Sequence, residues 1–535
     1  MRVAASIVLL LLSEVAMGMN LPKTVAETSG YEATSRYDDV IAFVRAIQRA
    51  DPDVRVETFG VTNDERALPL VIIGPPGVVD PHSAFATGLP IVFIMANIHA
   101  GEVEGKEAAL MLLRDLISSH RKLREDMVIL IAPIYNADGN ENISVTHRTT
   151  QNGPKGGVGV RENGQGLDLN RDYMKLETPE ARGLVANVLA RWDPLLTVDL
   201  HTTNGSYHGY QLTYAPCLNP DAPEDVLDFS RETFLPAIRE QLKKRHGKET
   251  YYYGNFVDQL APEKGWHTFD SRPRFGNNYA GLRNRFVILS EAYSYIDFQA
   301  RVEVTYEFVH EILAAVGKYG SKMMRIAAKA DEQIRRGKLR KLGTRFEIKP
   351  WRDRVEILWE RSVAEEGGAP DPETGKGAIR RTGEIVPMVM TDYGIFEPVE
   401  KSEVPYAYAL EPEAARAVLA NLQTHGIIVE TLTGETKLDV SQFFIKEAAR
   451  AEDEFQGHHE LTLTGRWKTR QITLPTGSII IRTNQPLGRL AFYLLEPRSD
   501  DGLFAWGLFD DQLGDVAPVY KVMKEFGFES VRPKM

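Results

Sequence analysis

Pro90–Glu102 reads Pro-Ile-Val-Phe-Ile-Met-Ala-Asn-Ile-His-Ala-Gly-Glu. The stretch from Pro90 to Ile98 is an almost continuous apolar run. Such a run marks a strand buried on both faces, whereas a half-exposed strand would alternate. His99 and Glu102 come directly after it. Gly105 to Ser119 then reads as a helix, with Ala108, Leu112, Leu113 and Leu116 on one face. The two polar side chains are therefore placed at the carboxyl end of a buried strand, where open α/β sheets bind their ligands. Outward from this point the pattern repeats. Val54–Phe59, Ala67–Ile73, Met127–Pro133, Leu195–Leu200 and Arg285–Ser290 read as strands, and Tyr37–Ala50, Pro179–Trp192 and Val302–Val316 as helices. This alternation predicts an α/β sheet covered by helices on both faces across residues 36–317.

Beyond that region the texture changes. Ser321–Leu342 is rich in Lys and Arg at helical spacing and reads as a connecting helix with a solvated face. After residue 345 come short β-rich runs separated by Pro and Gly: Arg354–Trp359, Ile385–Met390, Tyr406–Leu410, Ile427–Leu432, Leu461–Trp467, Ser478–Arg482 and Leu490–Leu495. Glu411–His425 reads as a helix among them. The expected organisation is a signal peptide over 1–18, a catalytic unit over 19–320, a helical linker over 321–344 and a smaller, mostly β accessory domain over 345–535. The signal reading rests on Arg2, the apolar run Ile7–Leu12 and the small-x-small triplet Ala16-Met17-Gly18. It predicts a secreted or periplasmic protein with no membrane span in the mature chain, because the run is well short of the ~20 residues needed to cross a bilayer.

The 535 residues are 43% apolar and 26% charged, enough for more than one sizeable core. A net charge of −11 and a pI near 5.7 argue against a nucleic-acid partner. Cys217 is the single cysteine, so neither an intramolecular disulfide nor a Cys-based zinc site is possible.

Four segments carry chemistry. Asn-Ile-His-Ala-Gly-Glu (97–102) can aim an imidazole and a carboxylate at one point. Val-Asp-Leu-His-Thr-Thr (198–203) puts His201 beyond another buried strand, completing a His₂Glu set that leaves a position for water. Asp199 is placed to orient a ligand imidazole if that strand runs on through His201. Leu-Asp-Leu-Asn-Arg-Asp (167–172) offers Arg171, supported by Asn170, as a two-pronged clamp for a carboxylate. Ile-Leu-Ser-Glu-Ala-Tyr-Ser-Tyr (288–295) ends a strand with Glu291, a candidate general base.

Taken in order, these segments resemble the M14 zinc carboxypeptidases typified by carboxypeptidase A. The resemblance rests on His99-x-x-Glu102, Asn136-x-Asp-Gly139, Leu169-Asn-Arg171, His201 and Ser290-Glu291, and it covers roughly residues 36–317. It implies a mixed, mostly parallel sheet. It also implies Zn2+ on His99, Glu102 and His201, Glu291 as base, and Asn170 and Arg171 on the free C-terminal carboxylate of a peptide. An upstream arginine would polarise the scissile carbonyl; Arg148 is preferred, with Arg161 the other candidate. Tyr279 is the nearest candidate for a tyrosine that covers substrate. Two other functions fit the same residues: a zinc-dependent deacylase or amidase acting on N-acyl amino acids or cell-wall peptides, and an inactive peptide-binding protein.

Further residues carry expectations of their own. Arg272, Arg274, Arg283 and Arg285 crowd the segment before the base, and would suit an acidic substrate side chain unless they serve structural ion pairs. His208 is close enough in sequence to His201 to touch substrate. His458 and His459 precede a strand and point in different directions, which argues against a metal pair. Trp467, Phe492, Trp506 and Phe509 are expected in the core of the accessory unit.

Overall fold

A computed structural model of the chain describes residues 21–365, 378–527 and 529–532. The expected signal peptide lies outside the described residues. The first unit is built on an eight-stranded sheet. Across it the strands run Arg55–Val61, Ala67–Ile73, Val128–Ala132, Ile91–Ala96, Leu196–Thr203, Phe286–Tyr293, Leu212–Ala215 and Thr250–Tyr252. The four central strands, from Val128–Ala132 to Phe286–Tyr293, are mutually parallel, while both flanks contain antiparallel pairs. Every residue of the Ile91–Ala96, Val128–Ala132 and Phe286–Tyr293 strands is buried; the first two are apolar throughout, and the third is apolar apart from Ser290 and Glu291.

Ile91–Ala96 is the topological switch. The chain leaves it for Val128–Ala132 on one side, and later returns to place Leu196–Thr203 on the other. The crevice this reversal opens at the carboxyl ends of parallel strands is where His99, Glu102, His201 and Glu291 converge. Two strands run longer than the sequence predicts. Leu196–Thr203 continues through His201, and Phe286–Tyr293 continues past Glu291, because each goes on pairing with the other up to Thr203 and Tyr293. The strands Leu212–Ala215 and Thr250–Tyr252 were not anticipated; both are too short to show a period.

The expected helix over 302–316 and most of the connecting helix expected over 321–342 are a single 38-residue helix, Phe298–Arg335; Lys341 and Leu342 instead begin the strand Lys341–Lys349. Asp297 caps it by accepting the Ala300 N–H. Gly320 does not break it, because it marks a close approach: a Cβ there would lie 2.9 Å from Pro90 Cγ. The second unit contains a seven-stranded sheet ordered Leu461–Leu474, Thr436–Arg450, Val516–Val522, Ala407–Leu410, Ile479–Arg482, Glu430–Leu432 and Ser530–Val531. The Leu490–Leu495 run forms part of a helix, Gly488–Leu495, instead of a strand. An apolar run buried on all sides fits either structure, so period alone misassigns it. One hydrophobic core passes through both units without interruption, joining Leu184 and Trp192 to Leu410, Val418 and Phe492.

Gly105 fixes the distance between the helix Glu104–Leu116 and the sheet. A Cβ there would sit 2.7 Å from Leu200 Cβ, one residue before His201. Gly105→Val is expected to destabilise the protein by about 1–3 kcal/mol through overpacking, read as a lower urea midpoint. An unchanged midpoint would show that helix and strand separate freely.

Candidate active site

Asn97 leaves the Ile91–Ala96 strand with φ +67°, a left-handed turn that asparagine tolerates better than most residues. The turn brings His99 back over the strand end, and the Glu102 N–H closes it on the His99 carbonyl at 2.9 Å. Both side chains are 3% exposed, as is His201. His99 Nδ1 lies 3.0 Å from Glu102 Oε1, and His201 Nδ1 lies 3.0 Å from Glu102 Oε2. One ligand atom from each of the three residues falls within 4.8 Å of the others, and no other such group of three occurs among the described residues.

The outward ring nitrogens meet carboxylates. His99 Nε2 is 3.1 Å from Asp168 Oδ1, and His201 Nε2 is 3.0 Å from Asp199 Oδ2. At His99 the carboxylate hydrogen-bonded to the outer nitrogen keeps the proton there and turns the Nδ1 lone pair inward, while at His201 the Asp199 carboxylate faces the outer nitrogen as a charge contact. Two imidazoles and one carboxylate, all inward-facing and with no thiol, are the donor set of a zinc site with an open position. The residues therefore fit a zinc ion. Burial alone would raise the Glu102 carboxyl, but His99, Arg148 and His201 hold it well below the usual carboxylate range. Burial would likewise depress His201, yet Asp199 and Glu102 push it well above the usual imidazole value. The cluster thus draws positive charge to its centre.

A cavity of about 250 Å³ opens on this cluster. Glu291 lies in its wall, directly opposite His201 in the parallel ladder. Burial, together with the nearby Glu102 and Asp199 charges, pushes its carboxyl up to about 8 against the pull of His201 and Arg148. Arg148 stands at φ +50° with Nη2 2.9 Å from Glu102 Oε1. Gly101 leaves it room, since a Cβ there would come within 2.5 Å of Arg148 Cδ. Arg161 is bound to Asp168 Oδ2 through Nε at 2.9 Å and Nη2 at 2.8 Å. Arg171 lies 4.1 Å above the Phe275 ring, and burial lowers its guanidinium to about 10. Asn170 accepts the Gly276 N–H on its side-chain oxygen at 3.0 Å. Burial opposes ionisation of Asp168, but His99, Arg161 and Arg171 hold its carboxyl well below the ordinary range.

The cavity thus unites His99, Glu102, Arg148, Arg161, Asn170, Arg171, His201 and Glu291. Tyr279 is absent from it. It is fully buried on the helix Gly276–Leu282, where its hydroxyl meets His425 Nδ1 at 2.8 Å, so it belongs to the contact between the units. Proximity in sequence to Glu291 does not reveal which way that helix faces. Tyr253, Phe269 and Phe275 line the cavity instead. No sequence signal distinguishes these three from the many other aromatics, whereas Asp168, two residues before Asn170, is within reach of the motif.

The four crowded arginines are committed elsewhere. Arg272 pairs with Asp270 at 2.5 Å and Arg274 with Asp501 at 2.8 Å. Arg283 donates to the Leu189 and His425 carbonyls, and Arg285 bridges Asp193 and Asp331. His208 is buried and stacked on Tyr293 at 4.2 Å, and burial lowers its imidazole to about 3. His458 pairs with Glu177. Phe492, Trp506 and Phe509 are core residues, and Trp467 packs partly buried against the same core, its ring edge-on to Phe443.

Residues 40–260 match the family model described as zinc carboxypeptidase. The protein is a metallocarboxypeptidase-type hydrolase. Over 524 residues the chain is 22% identical to Carboxypeptidase 2 of Trichophyton rubrum, a match spanning 94% of this chain and 89% of that one. It is 32% identical over 152 residues to the human carboxypeptidase N catalytic chain, covering 27% of this chain and 31% of the other. Among solved structures it is similar to carboxypeptidase A from Helicoverpa armigera, with a TM-score of 0.41 and 17% identity over 56% of this chain and 75% of that one.

Asp168→Asn removes the negative charge that fixes the His99 ring. The substitution is expected to weaken zinc binding by roughly 10- to 100-fold, measured by competition with a chelating dye. Wild-type affinity in this variant would show that His99 is oriented without Asp168.

Proposed function

We propose that the protein removes C-terminal residues from peptides, using zinc held by His99, Glu102 and His201. The observation that carries this reading is the pairing, in one cavity, of an inward-facing His₂Glu set with the partly buried Arg171 beside it. Bound zinc would supply Lewis-acid polarisation of the scissile carbonyl and acidify a water. Asn170 and Arg171 receive the substrate's terminal carboxylate. Stacking on Phe275 fixes the plane of the guanidinium, which suits two parallel hydrogen bonds to a planar anion.

Glu291 is the general base: it takes a proton from the attacking water and returns it to the departing amine. Its raised affinity for protons in a buried wall suits both transfers. Arg148 stabilises negative charge growing on the carbonyl oxygen. Arg161 is less suited to that task, because two of its nitrogens are held by Asp168. We place the mature protein outside the cytoplasm on the strength of the N-terminal signal pattern. No helix among the described residues is long and apolar enough to cross a membrane.

Glu291→Gln is expected to cut kcat by about 10²- to 10⁴-fold with full zinc occupancy; loss of zinc from this variant would contradict its role as base. Arg171→Ala is expected to raise KM for free-carboxylate peptides and leave amidated ones as poor as before. An Arg171→Ala enzyme that still prefers free carboxylates would place the grip elsewhere.

A further inference from the structure

The hairpin of Thr436–Arg450 and Leu461–Leu474 belongs to the second unit, yet its connecting loop reaches the rim of the active site. The Ala451 N–H donates to the Glu460 carbonyl at 2.9 Å, and Phe455 and His458 exchange backbone hydrogen bonds at 2.8 and 3.0 Å. Between them, Gln456 and Gly457 have φ of +54° and +78°. Two successive left-handed residues make a tight two-residue turn that holds its tip rigidly. The tip is also fastened to the first unit: His458 Nε2 meets Glu177 Oε1 at 2.7 Å, Glu460 takes the Arg274 guanidinium, and Arg274 lies over Phe455 and Trp506.

From this tip, Gln456 Oε1 accepts the Asp168 N–H at 2.8 Å. Asp168 is a junction. Its carboxylate meets His99 and Arg161, accepts the Asn170 N–H at 2.8 Å, and lies 3.7 Å from Arg171. It also caps the single 3₁₀ turn, Leu169–Arg171, that carries the carboxylate grip. A three-residue turn has almost no internal hydrogen bonding to resist displacement. Its position is therefore set by contacts from outside it: Leu169 is buried in the core, Asn170 takes the Gly276 N–H, and Asp168 is held at its start.

We propose that Gln456 is a positioning residue for substrate binding. By holding the Asp168 backbone it fixes the turn that aims Asn170 and Arg171 at the terminal carboxylate, so the second unit completes the substrate site of the first. The proposal rests on the carboxypeptidase reading of the site.

The test uses the zinc-loaded full chain and two variants. Gln456→Asn keeps the preference for a left-handed backbone but is one methylene too short to reach. Gln456→Glu keeps an acceptor oxygen at the same reach. kcat and KM are measured on an N-acyl dipeptide with a free carboxylate. Its Kd is measured by calorimetry with Glu291→Gln added to prevent turnover. Gln456→Asn is expected to raise KM and Kd about five- to tenfold, the effect of one hydrogen bond. Its kcat, zinc content and melting temperature should stay near wild type, and Gln456→Glu should return KM and Kd close to wild type. Unchanged KM and Kd in Gln456→Asn would overturn the proposal. So would a fall in kcat and melting temperature at constant KM, or a Glu variant as weak as the Asn variant. If the unsubstituted protein binds amidated and free-carboxylate dipeptides equally well, the carboxypeptidase reading has failed, and this proposal with it. If it discriminates between them and Gln456→Asn discriminates equally, only this proposal is lost.

Discussion

A carboxylate removed from water must find positive charge or give up its own. Glu102 is such a group: it is 3% exposed, with an imidazole nitrogen 3.0 Å from each of its oxygens and Arg148 Nη2 at 2.9 Å. The surrounding architecture follows from holding those partners in place. Parallel strands deliver His201 and Glu291 side by side, and the left-handed turn at Asn97 brings His99 and Glu102 to the same depth. Asp168 and Asp199 stand behind the two rings, and Asp168 fixes which His99 nitrogen faces inward. The buried centre is therefore prearranged for a cation, and much of the cost of ordering it falls on folding.

The second unit is more than an appendage. Its core is continuous with that of the first, and several of its contacts end on catalytic-side segments. His425 meets Tyr279, Asn421 donates to the Met174 and Lys175 carbonyls, and Gln456 holds Asp168. The charged residues before Glu291 serve this same contact: Arg274 enters a buried pair with Asp501, and Arg283 spans to the His425 carbonyl. Of the four arginines that resembled a substrate filter in the sequence, these two join the units, while Arg272 and Arg285 pair with Asp270 and with Asp193 and Asp331. What remains to line the cavity, apart from the polar machinery, is largely aromatic: Tyr253, Phe269 and Phe275.

The legible parts of the sequence were those where one physical requirement leaves one pattern. Strands buried on both faces are mostly apolar, so Pro90–Ile98, Met127–Pro133 and Leu195–Leu200 announced the sheet. The site residues nearest the metal cluster follow those strands directly, so their convergence was legible too. Tyr279 was misplaced because its neighbours in space come from residue 425, and nothing local encodes so distant a contact. Gln456 was invisible for the same reason: it lies 288 residues from the backbone group it binds. The Leu490–Leu495 helix was mistaken for a strand because burial on every side erases the period that separates the two.

The most direct measurement is release of the C-terminal residue from paired peptides, one with a free carboxylate and one amidated, by purified protein of known zinc content, with and without chelator. The expected result is about one zinc per chain, with chelator-sensitive release from the free-carboxylate peptide alone. Release that is indifferent to chelator, or equal cleavage of the amidated peptide, would contradict the account.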